Sequence, residues 1–244
     1  MADFIIAHMY PDLMNLYSDR GNLICLEKRL NWYGYSCEIK LVSPGDNSDY
    51  KNIDMLFIGS GSEREQGLVY QELIKKADQL KAAIDDGLPA LFIAGAYQLL
   101  GNSYIDSDGT NLGGLSFFDF YTRSSKERLT GNILINTVLN EQELSVVGFE
   151  NHGGRTYFED SKVKPFGTVI SGYGNNGEDK TEGIFYNNLI GTYLQGPLLP
   201  KNPSVADFFI NAMALRKGIE ITTKLNDDIE NYAHEQIKDK ILPS

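Results

Sequence analysis

The residue types first raise the possibility of thiol–imidazole chemistry. The chain has two cysteines, Cys25 and Cys37, and three histidines, His8, His152 and His234. One of each is enough for nucleophilic catalysis, in which an imidazole generates the attacking thiolate. The same counts leave few candidates for a metal site and make no disulfide framework. A reduced, cytoplasmic chain is therefore expected.

Four further stretches crowd glycine with polar side chains. In LPALFIAGAYQLLG, Leu88–Gly101, a buried strand runs into Gly95 and Ala96 and then a short helix near Tyr97. A sharp strand–turn–helix of this kind can hold a nucleophile above a sheet, next to a helix N-terminus, but the tip here is Ala94. In FIGSGSEREQ, Phe57–Gln66, a Gly-Ser-Gly turn can aim backbone N–H groups at an oxyanion. VGFENHGGRTY gathers Glu150, Asn151, His152 and Arg155 around a Gly-Gly turn, a candidate binding loop. LIGTYLQGPLLPKNP leads from a strand to Tyr193, Gln195 and Gly196. Taken locally, each is also an ordinary turn or strand end. The Gly-Ser-Gly turn lacks the Lys of a phosphate-binding loop.

The elements that must position these stretches follow from apolar periodicity. Strands are expected at Asp3–Met9, Ser36–Val42, Ile53–Ile58 and Ala90–Ala94. Leu23, Leu26 and Leu30 recur at helical spacing over Asn22–Tyr33, with Gly34 as the stop. A long amphipathic helix is expected from Arg64 to Asp86, with Leu68, Leu73, Leu80 and Ile84 on its apolar side. The order strand, helix, strand, strand, helix, strand argues for a parallel α/β sheet. From Gly101 to Gly196 short strands (Asn132–Val138, Ser145–Phe149, Val169–Ser171, Leu189–Thr192) alternate with glycine turns, and an antiparallel extension of the same sheet is expected. A last helix, Val205–Lys217, is expected to start from a Ser204/Asp207 capping box and to stop at Gly218. One domain over residues 1–218 and a polar tail over 219–244, helical or loosely docked, complete the reading.

Charge and length exclude other classes. With 22 basic and 33 acidic residues the net charge is −11, which repels phosphate backbones, so no nucleic-acid partner is expected. No apolar run approaches the ~20 residues that span a bilayer, and the N-terminal MADFIIAHMY lacks the basic region of a signal peptide.

In order and separation, seven stretches resemble the class I, triad-type glutamine amidotransferases. They are NLYSDRGN (Asn15–Asn22), FIGSGSEREQ, DGLPALFIAGAYQLLG, DFYTRSSKERLTGN (Asp119–Asn132), VGFENHGGRTY, GYGNNGEDKTEGI (Gly172–Ile184) and GTYLQGPLLPKN (Gly191–Asn202). Within the class they resemble the cobyric-acid-synthase-like branch and its GatD-type subunits of lipid II isoglutaminyl synthase. The resemblance implies a flavodoxin-like, three-layer α/β domain with a mostly parallel central sheet and an antiparallel extension. It also implies glutamine as ligand and a MurT-like Mur-ligase partner in a heterodimer, to which ATP and any metal would belong. In such a pair glutamine hydrolysis supplies ammonia for amidating a peptidoglycan D-isoglutamate.

The resemblance places Ala94 where the family has its nucleophilic Cys and Gln195 where it has its His. Ala96 replaces a glycine usual after the elbow. A methyl group cannot attack an amide, and a carboxamide has no proton to exchange near neutral pH. Arg128 matches the family's substrate arginine, Gly59 and Gly61 its oxyanion-side turn, and Gln98 and Tyr193 motif neighbours. His8 and His152 are candidates for a nearby imidazole, and Glu150 for an orienting carboxylate. The expectation is a partner subunit that has lost glutaminase chemistry. A small-ligand-binding or interaction protein without a ligase partner is the alternative.

Overall fold

The computed structural model describes residues 2–46, 50–160 and 162–242. The chain opens with β1 (Phe4–Met9), α1 (Arg20–Trp32), β2 (Cys37–Val42), β3 (Met55–Ile58), α2 (Glu63–Leu73), α3 (Ala77–Asp85), β4 (Ala90–Ile93) and the single-turn α4 (Gly95–Gln98). It continues through β5 (Ser103–Ile105), β6 (Phe120–Leu139), β7 (Gln142–Phe158), β8 (Gly167–Ser171), β9 (Thr181–Glu182), β10 (Ile184–Tyr186) and β11 (Leu189–Thr192). Helices α5 (Pro203–Arg216) and α6 (Asp228–Ile241) close it.

A central sheet has the order β10-β11-β4-β3-β1-β2. It is parallel from β11 to β2, with β10 antiparallel at one edge. Strands β3 and β4 lie at its centre, and all eight of their residues are buried. That burial is why they read as unbroken apolar runs. Leu23, Leu26 and Leu30 of α1 and the apolar face of α5 pack into the same core. Arg29 of α1 is buried with them, its guanidinium held by Asp207 (2.8 Å) and Asp227 (2.6 Å).

Several expectations change in the structure. The Arg64–Asp86 helix is two helices separated by a 3₁₀ turn at Ile74–Lys76. Leu68 faces solvent, 51% exposed, instead of joining the apolar side. The break rotates the helical face, so one periodicity cannot serve both halves. Most of the antiparallel strands form a second sheet, β5-β6-β8-β9 with β7 on the other edge of β6. Its β6 and β7 pair along nearly their whole lengths, 20 and 17 residues, so the Glu150–Arg155 segment lies within a strand and is not a glycine turn. The Ser204/Asp207 box does not form, because Asp207 is committed to Arg29 and the helix starts from Asn202. The tail forms α6, docked where His234 Nδ1–H donates to Lys201 O (2.9 Å) and Ser145 Oγ meets Nε2 (2.9 Å).

Candidate functional site

At the C-terminal end of β4 the backbone turns within one residue. Ala94 has φ +47° and ψ −106°, a conformation that L side chains rarely adopt. It is held by Ala94 N–H to Thr192 O (2.8 Å) and by Gln98 N–H to Ala94 O (3.0 Å). A strained residue at a strand-to-helix junction is the geometry that presents a nucleophile. Here that geometry carries only a methyl group.

The neighbouring strand β3 ends in Gly59-Ser60-Gly61, and Ser62 caps α2 in a reciprocal capping box with Glu65. Both glycines are required by close approach. A Cβ on Gly59 would lie 2.5 Å from Met14 O, and one on Gly61 would lie 2.5 Å from Met14 Sδ. The loop before α1 is locked here, because Asp19 accepts hydrogen bonds from both the backbone N–H and the hydroxyl of Ser60. Burial pushes the Asp19 carboxyl up to about 6, against the lowering effect of those Ser60 bonds.

The second sheet supplies the opposite wall. The β6–β7 register shifts between Ser124 and Leu129, and Arg128 projects from that irregularity. Its Nε donates to Asn151 Oδ1 (2.7 Å) and its Nη2 to Asn151 O. His152 Nδ1–H donates to Gly154 O (2.7 Å), and the ring stacks on Tyr193 at 3.7 Å between centroids. Its Nε2 lies 3.7 Å from Glu150 Oε2, while that carboxylate accepts the N–H groups of Tyr173 (2.8 Å) and Gly174 (2.9 Å). Gly154 has no free room for a side chain, since a Cβ would lie 2.3 Å from Gln98 Nε2 and 2.9 Å from Thr122 Cγ2, and Gln98 would have to move.

Beyond β11, Tyr193 is fully buried, and its hydroxyl meets Gln98 Nε2 (3.1 Å) and Thr156 Oγ1 (2.8 Å). Burial pushes this phenol up to about 12, so it stays neutral. Gln195 is tied by its N–H to Phe149 O (2.8 Å) and by its Nε2 to Asn151 O (3.3 Å).

A cavity of about 430 Å³ results, in the size range of small-ligand sites. Ala94, Gln195, Arg128, Gln98 and Gly61 all line it. Gly59 and Tyr193 stand one layer behind, where they hold the turn and Gln98 in place. His152 lines the cavity, whereas His8 lies in β1 against Phe57, and burial pulls its imidazole down to about 4. Cys25 and Cys37 are on α1 and β2, away from the cavity, and burial pushes both thiols up to about 12. Among the described residues no group of His, Cys, Asp and Glu is arranged to hold a metal ion. Glu63, Gln66, Tyr104 and Ser124 also line the cavity and were not expected there. Glu63 and Gln66 had a signal in the sequence, being three apart just inside the Ser62 cap and so on one face of α2.

Comparisons with known proteins agree with this architecture. The model of the CobB/CobQ-like glutamine amidotransferase domain matches residues 5–203. The chain is 45% identical over 242 residues, 99% of its length and 96% of the relative's, to "Lipid II isoglutaminyl synthase (glutamine-hydrolyzing) subunit GatD" of Staphylococcus aureus (strain N315). A protein of the same name from Streptococcus pneumoniae (strain ATCC BAA-255 / R6) is 35% identical, over 95% of this chain and 86% of the relative. A probable cobyric acid synthase of Methanocaldococcus jannaschii is 29% identical, over 76% of this chain and 38% of the relative. The PurLQS structure from Thermotoga maritima superposes with a TM-score of 0.60 at 14% identity, covering 89% of this chain and 100% of that one. That likeness shows the shared flavodoxin-like fold.

Proposed function

The chain belongs to the CobB/CobQ-like glutamine amidotransferase family, and we propose that it is a GatD-like subunit of a lipid II isoglutaminyl synthase that binds glutamine without hydrolysing it. One observation carries the reading. A strand-to-helix elbow and a cavity are formed, and Ala94 and Gln195, which the resemblance places at the positions of attack and proton transfer, both line that cavity.

Hydrolysis of an amide needs a nucleophile at the carbonyl carbon and a proton for the leaving nitrogen. Ala94 offers no lone pair. Gln195 has no titrating group, and the His152 imidazole has no thiol to activate. Where a nucleophile and base act as a unit, removing either costs on the order of 10⁶ in rate. Binding does not depend on that pair. Arg128 presents a guanidinium suited to an α-carboxylate, oriented by Asn151.

In this reading the partner is a MurT-like ligase in the cytoplasm, and it holds ATP and any metal. The names of the relatives, as subunits of a glutamine-hydrolysing synthase, support a heteromeric role. Among the described residues no helix is long and apolar enough to cross a membrane. The test is glutamate release from the purified chain, alone and co-purified with a Mur-ligase-like partner. A 1:1 complex with no glutamate above the blank is expected. Enzymatic glutamate release, or separate elution of the two chains at micromolar concentration, would overturn it.

A further inference from the structure

Three of the cavity-lining residues have a buried side-chain atom without a hydrogen-bond partner: His152, whose Nε2 stands 3.7 Å from Glu150 Oε2, and the two glutamines Gln66 and Gln195. Gln66 Nε2 is a donor and Gln195 Oε1 an acceptor. The residues are only 3% and 2% exposed, and both line the cavity with Ala94. They flank the elbow from its two sides. Strand β4 pairs with β3, which leads into α2 and Gln66, and with β11, which leads to Gln195. Gln66 packs over the turn, so a Cβ on Gly95 would lie 3.1 Å from its Oε1. Gln195 has its own Nε2 engaged by Asn151 O (3.3 Å), which leaves Oε1 as its free function. A buried donor or acceptor without a partner is destabilising. One of each lining the same cavity is the complement of a primary carboxamide, which offers one C=O and two N–H groups.

We propose that Gln66 and Gln195 are specificity-determining residues that read the ligand's side-chain carboxamide, Gln66 donating to its oxygen and Gln195 accepting from its nitrogen. The inference rests on the reading that the cavity binds glutamine. The residue at the base position has then not merely lost a function. An imidazole that would exchange a proton is replaced by an acceptor that distinguishes an amide from an acid. At the other end of the ligand, Glu63 completes the recognition of an amino-acid head. Its carboxylate is fixed by Tyr104 (2.6 Å) and Ser124 (3.3 Å), and Ser124 opens the irregularity that carries Arg128. Arg128 takes the α-carboxylate and Glu63 the α-ammonium.

Calorimetric titration of the full chain with L-glutamine and L-glutamate tests the assignment. A carboxylate has no N–H for Gln195 Oε1 and sets like charge against it, so glutamine is expected to bind at least about a hundredfold tighter. Gln195→Met and Gln66→Met keep the side-chain length and remove the polar atoms. Gln195→Met is expected to weaken glutamine about tenfold while leaving glutamate affinity unchanged, so the selectivity ratio falls, whereas Gln66→Met is expected to weaken both ligands, because Gln66 donates to an oxygen that amide and carboxylate share. If Gln66→Met does not fold, Gln66→Glu removes the donor at the same length. Glu63→Gln is expected to weaken both ligands alike. Equal binding of the two ligands, or an unchanged ratio in Gln195→Met, would overturn the assignment and leave the non-hydrolysing subunit reading standing, whereas no binding by the wild type would overturn both the assignment and the glutamine-binding part of that reading. Glutamate formed during the titration, with selectivity intact, would instead overturn that reading and leave the assignment standing.

Discussion

Single residues carry the functional argument, and their physical costs can be measured. Ala94 holds φ +47° although its side chain is only a methyl group. Glycine adopts such a conformation without steric penalty, so Ala94→Gly is expected to stabilise the fold by about 1 kcal/mol, read as a rise in denaturation midpoint at constant m-value. Behind the site, Glu182 is wholly buried, with one oxygen bound by Thr192 Oγ1 (2.6 Å) and Tyr193 N–H (2.8 Å) and the other without a partner. Burial pushes its carboxyl up to about 8, with Glu150 nearby adding to the rise. A carboxyl whose folded pKa is raised favours folding while protonated. Its contribution is therefore complete below the unfolded value near 4.5 and is lost as pH rises through about 8. The protein is expected to lose stability between pH 5 and pH 8.5, and Glu182→Gln to flatten that slope in thermal melts across the same range. At this scale the sequence was informative where a motif was local. The elbow, the Gly-Ser-Gly turn and Gln195 were all legible. The partnerless state of Gln195 Oε1 was not, because it depends on Asn151 arriving from another strand.

At the scale of elements, the outcome turns on how far each signal extends along the chain. Strands β3 and β4 and helix α1 were legible because one environment acts along each. Of the β6–β7 hairpin the half formed by Asn132–Val138 and Ser145–Phe149 was legible, and the half at the site was not, since it carries RSSKER opposite ENHGGR and neither reads as a strand. Those residues are polar or glycine whether they face the cavity, solvent or, as Glu150 does, the interior, so no apolar alternation marks them. The hairpin nonetheless makes half the site. Its irregularity projects Arg128, and its glycines allow Gln98 and Tyr193 to approach. Gly154→Ala would drive a methyl group onto Gln98 Nε2 at 2.3 Å and Thr122 Cγ2 at 2.9 Å. It is expected to cost about 1–3 kcal/mol in stability and to abolish glutamine binding, checked by urea denaturation and calorimetry.

Over the whole molecule, residues distant in sequence close around one buried cation. Arg29 of α1 joins Asp207 of α5 and Asp227 at the start of α6, so the last helix is fastened to the first. Removing one partner of a buried pair leaves charge uncompensated. Arg29→Met is expected to destabilise by about 3–5 kcal/mol, and adding Asp207→Asn and Asp227→Asn to recover part of the loss, read as Tm. The parallel α/β architecture followed from the order of elements, but the division into two sheets did not, because strand pairing between distant segments leaves no local mark. The proposal that the assembled molecule keeps an amidotransferase cavity without amidotransferase chemistry has a direct test. Glutamate release is measured side by side for the wild type and for Ala94→Cys combined with Gln195→His, each in complex with the ligase partner. The wild type is expected to release none above the blank and the double variant to release it measurably. Glutamate release by the wild type, or none by a correctly folded double variant, would contradict the account.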